Sequence, residues 1–349
     1  MVETVTSNLS SLPEKEQLCG LIDLFEGVPI VVLGDLILDH YIWGSVNRIS
    51  PEAPVVVVNV TKENQVLGGG GNVAANLAAL GARPYLCGVV GDDQPGRQFL
   101  EEAQHRGIDC RGVLVDRTRP TTIKTRVIAH SQQVVRIDRE DTRSLDGGYQ
   151  GGVIAALESM LACAKAVVIS DYGKGTINPC LMECVLQKDR FGLATLPLII
   201  DPKAPNFDTY RGATVVKPNR KEAEQASGFL IKTPADAGKV GSTLLDTWQC
   251  EMLLITLGED GMVLVERKQD GCSVDHIETQ AREVYDVSGA GDTVSAVFAL
   301  ALGLGASGGL AARLANYAAG IVVAEVGTVA VRKDQLLDAV RAGSYTHHE

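Results

Sequence analysis

Uninterrupted apolar runs, each closed by a polar or glycine-rich segment, set the rhythm of this chain. The first, Pro29-Ile30-Val31-Val32-Leu33, ends in Gly34-Asp35. A run of that length without alternation suits a strand buried on both faces. Similar runs at Ala166–Ser170, Leu198–Asp201, 214–217 and Met252–Thr256 predict further strands. Apolar residues recur at helical spacing near 179–188, 220–227, 233–247, 289–303 and 307–324. This alternation predicts an α/β fold, a central mostly parallel sheet with helices on both faces. Such sheets gather ligands at the carboxyl ends of their strands. Those ends carry Asp35, Asp171, Asp201, Asn219 and Thr256 here, so a site is expected along that edge.

Two stretches break the rhythm. Residues 44–60 contain Pro51 and Pro54 before Val55-Val56-Val57-Val58, and residues 121–138 read TTIKTRVIAHSQQVVRID. Neither holds a helix that would separate parallel strands, and proline is confined to sheet edges and strand starts. They predict one small antiparallel sheet projecting from the main domain, drawn from about 44–60 and 113–138. Residues 1–28 read as a polar extension with a short helix at 18–27, residues 29–335 as one domain, and 336–349 as a C-terminal tail.

The formal net charge of −11 excludes a general attraction to nucleic acid or to an anionic membrane surface, though not a local phosphate site. The 8 cysteines form no CxxC pair and are not flanked by histidines at zinc-site spacing. Cys180 and Cys184 could share a helix face, but reduced, buried thiols are the expectation. The first residues, MVETVTSNLSSL, lack the basic and apolar regions of a signal peptide. No apolar run reaches the roughly 18 residues of a membrane span. A cytoplasmic protein is therefore expected.

Candidate chemistry sits in glycine-rich and polar turns. Asp286-Val287-Ser288-Gly289-Ala290-Gly291-Asp292 opens a clear helix. Amides at a helix start carry partial positive charge, and small residues let an anion approach them. Asp292 in that first turn can take a proton from an alcohol. The plain alternative is an acidic residue favoured there by the helix dipole alone. Gly68-Gly69-Gly70-Gly71-Asn72 opens a second helix, and its Gly69-x-Gly71-x-x-Ala74 formally matches a dinucleotide fingerprint. The preceding strand belongs to the proline-containing patch, so the match lacks its βαβ context. Asn72 and Asn76 of that helix are expected to point at a polar ligand. Asn219 and Glu222 make a capping box in Lys217-Pro218-Asn219-Arg220-Lys221-Glu222. Thr256-Leu257-Gly258-Glu259-Asp260-Gly261, Ser170-Asp171-Tyr172-Gly173-Lys174-Gly175 and Asp201-Pro202-Lys203 are strand-end turns. No GxxxxGK[ST] phosphate loop occurs.

In this order the segments resemble the ribokinase-like (PfkB) family of carbohydrate kinases, over roughly residues 29–330. The resemblance rests on the 69–76 glycine and asparagine region with Gly88 and Gly91, on 286–292, on Asn219 with Glu222, and on Thr256, Gly258 and Gly261. It implies that the small sheet is a lid. Asp292 would be the catalytic base, with Gly289, Ala290 and Gly291 as the anion hole. Asn219, Arg220, Lys221 and Glu222 would serve the phosphates of ATP, with Glu222 holding Mg2+ through water. Thr256, Gly258, Glu259 and Gly261 would line the nucleotide, with Asn316 near its base. Asp35, Gly69, Gly70 and Asn72 would hold sugar hydroxyls, and a homodimer through the lid is implied. Within the family, 47–55 (NRISPEAPV), SDYGKG, DPK and KPNRKE are similar to the heptose 7-phosphate kinases. That adds Asn47, Asp171 and Asp201 to the substrate set, and Lys124, Arg136, Lys174 and Lys203 as candidate cations for the sugar phosphate. Relatives of that kind are often fused to a nucleotidylyltransferase. No HxGH-type segment appears, so kinase activity alone is expected. The rival readings are another sugar or nucleoside kinase of the family (fructose phosphate, ribose, adenosine), a non-catalytic nucleotide- or sugar-binding regulator, and, more remotely, a dinucleotide oxidoreductase.

Overall fold

The computed structural model describes residues 12–130, 132–187, 196–281, 285–325 and 327–343. Its main sheet has nine strands, and the first apolar run supplies a central one, β1 (Pro29–Gly34). On one side of it lie β4 (Arg83–Gly91) and β5 (Asp109–Asp116). On the other side come β8 (Ala166–Ser170), β9 (Leu198–Asp201), β10 (Val215–Val216) and β11 (Met252–Thr256), all parallel. β12 (Met262–Lys268) and β13 (Gly271–Ile277) close that edge antiparallel. The sheet is thus mostly parallel, as the sequence predicts.

Both faces of β1 are buried, which is why its residues run apolar without alternation. Ile30 and Val32 join the core formed with α2 (Gly70–Ala79), α8 (Ala290–Gly303) and α9 (Gly308–Val322). Val31 and Leu33 join the opposite core with α4 (Gly147–Leu161), α5 (Pro179–Leu186) and α7 (Pro234–Thr247). α3 (Gln94–His105) and α6 (Arg220–Ser227) complete the helical layers.

The small sheet is larger than the sequence suggests and is not purely antiparallel. β2 (Leu36–Ile49) leaves β1 after a single residue, Asp35, and pairs antiparallel with β3 (Val56–Gly69). β6 (Thr122–Ala129) adds to β2 in parallel, and β7 (Gln132–Arg139) adds to β6 antiparallel. The order is β3-β2-β6-β7. β2 and β3 therefore extend beyond 44–60 at both ends, and residues 113–116 belong to β5 of the main sheet instead. The cause is that β2 starts inside the core at Leu36, Ile37 and Leu38 and then runs out into solvent, so its polarity pattern changes midway.

The termini differ too. The N-terminal helix, α1 (Glu14–Asp23), starts earlier than 18–27 and buries Leu18, Leu21 and Ile22. The expected tail from 336 is, in its described part, the end of helix α10 (Lys333–Ala342), which buries Leu336, Ala339 and Val340 and packs on α1. Residues 1–11 and 344–349 lie outside the described residues, as does position 188 at the end of the helix expected over 179–188.

Candidate active site

The glycine-rich turn before α8 places Asp292 in the first turn of that helix, where only 3% of its surface is exposed. Gly289 makes this possible. It caps the helix with φ +82°, a left-handed conformation that suits glycine. A Cβ there would stand 2.8 Å from the Asn72 side-chain nitrogen. Asn72, in the first turn of α2, uses that nitrogen to donate to Asp292 Oδ2 at 2.8 Å. The Tyr172 hydroxyl donates to Asp292 Oδ1, also at 2.8 Å. Burial pushes the Asp292 carboxyl up to about 7, aided by the neighbouring charge of Asp201, while Asn72, Tyr172 and Lys217 oppose the shift. A buried carboxylate poised near neutrality is equipped for general base work.

Asp201, at the end of β9, is also raised by burial, and it is held by the Lys217 ammonium at 3.0 Å and the Ser295 hydroxyl at 3.2 Å. Lys217 is itself buried, and its Nζ would lie 3.4 Å from a Cβ at Gly291. One ammonium thus stands at the mouth of the helix start, beside two acids. This can neutralise an anion arriving at the first amides of α8. Of the expected hole, Ala290 N–H is already turned to the Val287 carbonyl at 3.3 Å.

On the adjoining side, Asn219 caps α6 and exchanges capping-box bonds with Glu222. Asn219 bridges to Thr256 at the end of β11, bringing the two expected nucleotide segments together. Arg220 does not face open space. It clamps the following turn through the Leu257 carbonyl at 2.9 Å, the Ile231 carbonyl at 3.1 Å and the Asp260 carboxylate. Lys221, Gly258 and Glu259 are exposed, and Gly261 is buried against the end of β13. Asn316 borders the same end of β13, donating to the Glu278 carbonyl at 2.6 Å.

Several expected substrate ligands are spent elsewhere. Asp35 accepts three backbone N–H bonds, from Tyr172 at 2.8 Å, Lys174 at 2.9 Å and Thr176 at 3.1 Å. Asp171 accepts from Gly173 N–H at 2.7 Å, Asn206 at 2.6 Å and the Tyr210 hydroxyl at 2.7 Å. Burial and the charge of Asp35 raise Asp171 to about 6. Both acids therefore fix the 171–176 loop. Asn76 is likewise internal, accepting from the Thr293 hydroxyl at 3.0 Å and from Val331 N–H at 3.1 Å. Lys203 pairs with Glu222 at 2.8 Å, beside the capping box of α6. Asn47 is exposed far along β2, where it donates to the Ser45 hydroxyl at 3.4 Å, so among the described residues it is not brought to the site. Gly69 and Gly70 do enter the site wall, where β3 turns into α2 beside the Asp35 carbonyl.

The small sheet contributes a row of cations. Register places Asp39 opposite Lys124, Tyr41 opposite Arg126, and Arg126 opposite Arg136, so all share one face. Lys124 Nζ lies 4.8 Å from the centre of the Tyr172 ring, and burial pulls its ammonium below the usual range. Arg126 pairs with Asp39 and stacks over Tyr41, whose hydroxyl meets Thr328 at 2.9 Å. Arg136 is held by Asp138, and Lys174 pairs with Glu140 at 2.6 Å.

Sequence reasoning missed Lys217, Tyr172, Asp39 and Arg126 as site residues. Arg126 was within reach, since strand alternation puts it on the face of Lys124. Asp39 interrupts an otherwise apolar strand start, and Lys217 ends a buried strand as Asp201 does. Tyr172 lies inside the SDYGKG strand-end turn, but only the path of that loop aims its hydroxyl at Asp292.

Known proteins bear on this geometry. The pfkB family carbohydrate kinase profile matches residues 29–335. The chain is 46% identical over 310 residues to the bifunctional protein HldE of Geobacter metallireducens, covering 89% of this chain and 62% of that protein. The HldE of Helicobacter hepaticus is 43% identical over 311 residues, covering 89% and 63%. The chain thus spans less than two thirds of the length of these relatives. Among solved structures, Arabidopsis thaliana ribokinase complexed with ribose and ATP superposes with a TM-score of 0.70 at 20% identity, covering 90% of this chain and 99% of that one. Escherichia coli phosphofructokinase-2 in complex with substrates and products gives 0.73 at 18% identity, covering 91% and 99%. Both share the fold.

Proposed function

The chain belongs to the pfkB family of carbohydrate kinases, phosphotransferases acting on a sugar hydroxyl, and from that premise we propose that it moves the γ-phosphoryl group of ATP to the anomeric 1-hydroxyl of D-glycero-β-D-manno-heptose 7-phosphate. The product is the 1,7-bisphosphate, an intermediate toward ADP-heptose and lipopolysaccharide core. The observation that carries the reading is the buried Asp292, raised to about 7, at a glycine-capped helix start with Lys217 beside it.

In this reading Asp292 accepts the proton of the 1-hydroxyl as its oxygen attacks phosphorus. Lys217 and the helix-start amides take up charge on the transferring group. The cation face of the small sheet, Lys124, Arg126 and Arg136 with Lys174, suits a sugar already carrying a phosphate. Asn219, Glu222, Thr256 and the 258–261 turn take the nucleotide. Closure of the small sheet over the sugar excludes water.

Among the described residues no three His, Cys, Asp or Glu side chains form a direct metal cage. Magnesium keeps most of its waters and binds through one or two carboxylates plus phosphates. Glu222, whose oxygens already meet Lys203 and the Asn219 N–H, would hold the ion through its waters rather than directly. When bound, the ion neutralises phosphate charge. No described helix is long and apolar enough to cross a membrane. A cytoplasmic site of action is supported by the free, exposed thiols of Cys163, Cys180 and Cys272.

Phosphorus NMR after incubation with ATP and heptose 7-phosphate tests the substrate. A new anomeric phosphate is expected, and faster turnover of ribose or fructose 6-phosphate overturns the assignment. Asp292→Asn should retain nucleotide binding and lose about 100- to 10,000-fold in kcat. Near-parental turnover in that variant removes Asp292 from the base role.

A further inference from the structure

Two buried carboxylates at strand ends, Asp35 and Asp171, look like ligands in sequence and are spent on one short loop. Between them they accept four backbone N–H bonds from residues 172–176, and Asp171 also takes Asn206 and Tyr210. Burying two neighbouring acids is costly and is repaid only where the hydrogen bonds are complete. The loop so fixed carries Tyr172 to the Asp292 carboxylate.

Its hydroxyl donates to Asp292 Oδ1, while Asn72 donates to Oδ2 from a different element. One donor on each oxygen fixes the plane of the carboxylate. The Lys124 ammonium over the ring draws electron density from the phenol and makes its hydroxyl a better donor. We infer that Tyr172 is a positioning residue for Asp292, setting the orientation and charge state of that carboxylate, and that Asp35 and Asp171 serve the site by holding Tyr172 in place.

The charges around the pair make such a donor necessary. Asp201, from β9, pushes Asp292 toward protonation, and Lys217, after β10, opposes it. Asp39 of β2 and Lys124 of β6 face Tyr172. A hydrogen bond to the ionised form is what keeps a carboxylate charged beside a like charge. The importance of this for turnover rests on the proposed base role, but the positioning itself does not.

The test is therefore a titration before it is an assay. Carbon-13 NMR of protein labelled at the Asp carboxyl carbons identifies Asp292 as the resonance missing from Asp292→Asn. Tyr172→Phe removes one oxygen atom and keeps the ring under Lys124. The Asp292 titration should move up by about one pH unit in this variant, the size expected for one lost hydrogen bond to a charged group. The acid limb of kcat/KM should move with it, while the melting temperature stays within a few degrees of the parent. An unmoved Asp292 titration overturns the inference, whatever happens to kcat. A moved titration with normal turnover in Asp292→Asn supports the positioning and removes the base role. An inactive Asp292→Asn with an unmoved Tyr172→Phe titration leaves the base role standing and this inference refuted.

Discussion

Asp292 ionises against opposed influences: burial and Asp201 raise it to about 7, and Asn72, Tyr172 and Lys217 hold it down. Activity should therefore climb with pH through about 7, as the free enzyme's base loses its proton, and a kcat/KM profile checks this. Stability should run the other way. The folded state binds this proton more tightly than the unfolded chain, whose carboxyl titrates near about 4. Stability then falls as pH rises from about 4 to about 7 and is flat above. Asp171, raised to about 6, acts in the same direction over a narrower window. Asp292→Asn lacks the penalty, so at pH 8 it should be more stable than the parent by a few kcal/mol, the gap closing toward pH 5. Urea titrations at the two pH values measure it, and an equal gap at both contradicts the shift. Asp35 and Asp171 also show what residue type and position leave open. A strand-end aspartate can hold a ligand or hold the backbone that presents the ligand-binding group, and only the loop's path distinguishes the two.

Single elements carry the site with little redundancy. The α8 start depends on Gly289, whose left-handed backbone and tight approach to Asn72 exclude a side chain. Gly289→Ala should cost about 1–2 kcal/mol in stability from backbone strain. It should lower kcat at least tenfold by pushing Asn72 off Asp292. Denaturant midpoints and initial rates read the two effects separately, and unchanged kcat would show that the Asn72 contact is dispensable. Five strands of the main sheet, β1 and β8 to β11, were legible because they are largely buried and read as continuous apolar runs, whereas β5 and β13 at its margins are half exposed and carry no such run. The lengths of β2 and β3 were not legible, since each is part core and part projection, and neither periodicity holds from end to end. The expected tail from 336 instead belongs, in its described part, to α10, which closes the core with α1. The start of α6 was legible through the capping box, whose Asn219 and Glu222 are local partners. The cluster beside Asp292 was less so, because Asp39, Arg126 and Tyr172 come together only through strand register and a distant loop.

At the scale of the whole molecule, the small sheet has two unlike faces. One carries Asp39, Lys124 and Arg126 toward the site. The other presents Ile42, Val127, Val135 and Ile137, paired across β2, β6 and β7, with Val135 and Ile137 45% and 57% exposed. An apolar sheet face left open in this way suits a second copy of the same face. We propose a homodimer through this face of the small sheet. Such a dimer would couple assembly to function, because the same sheet would bind the partner and present cations to the proposed sugar phosphate. Val135→Asp with Ile137→Asp should give a monomer by size exclusion with light scattering at micromolar concentration. Its KM for the sugar phosphate should rise about tenfold or more as the sheet loses support, while its affinity for nucleotide, held by the main domain, should change little. A parent protein that is already monomeric, or a monomeric variant with an unchanged KM, would break the link between the two faces.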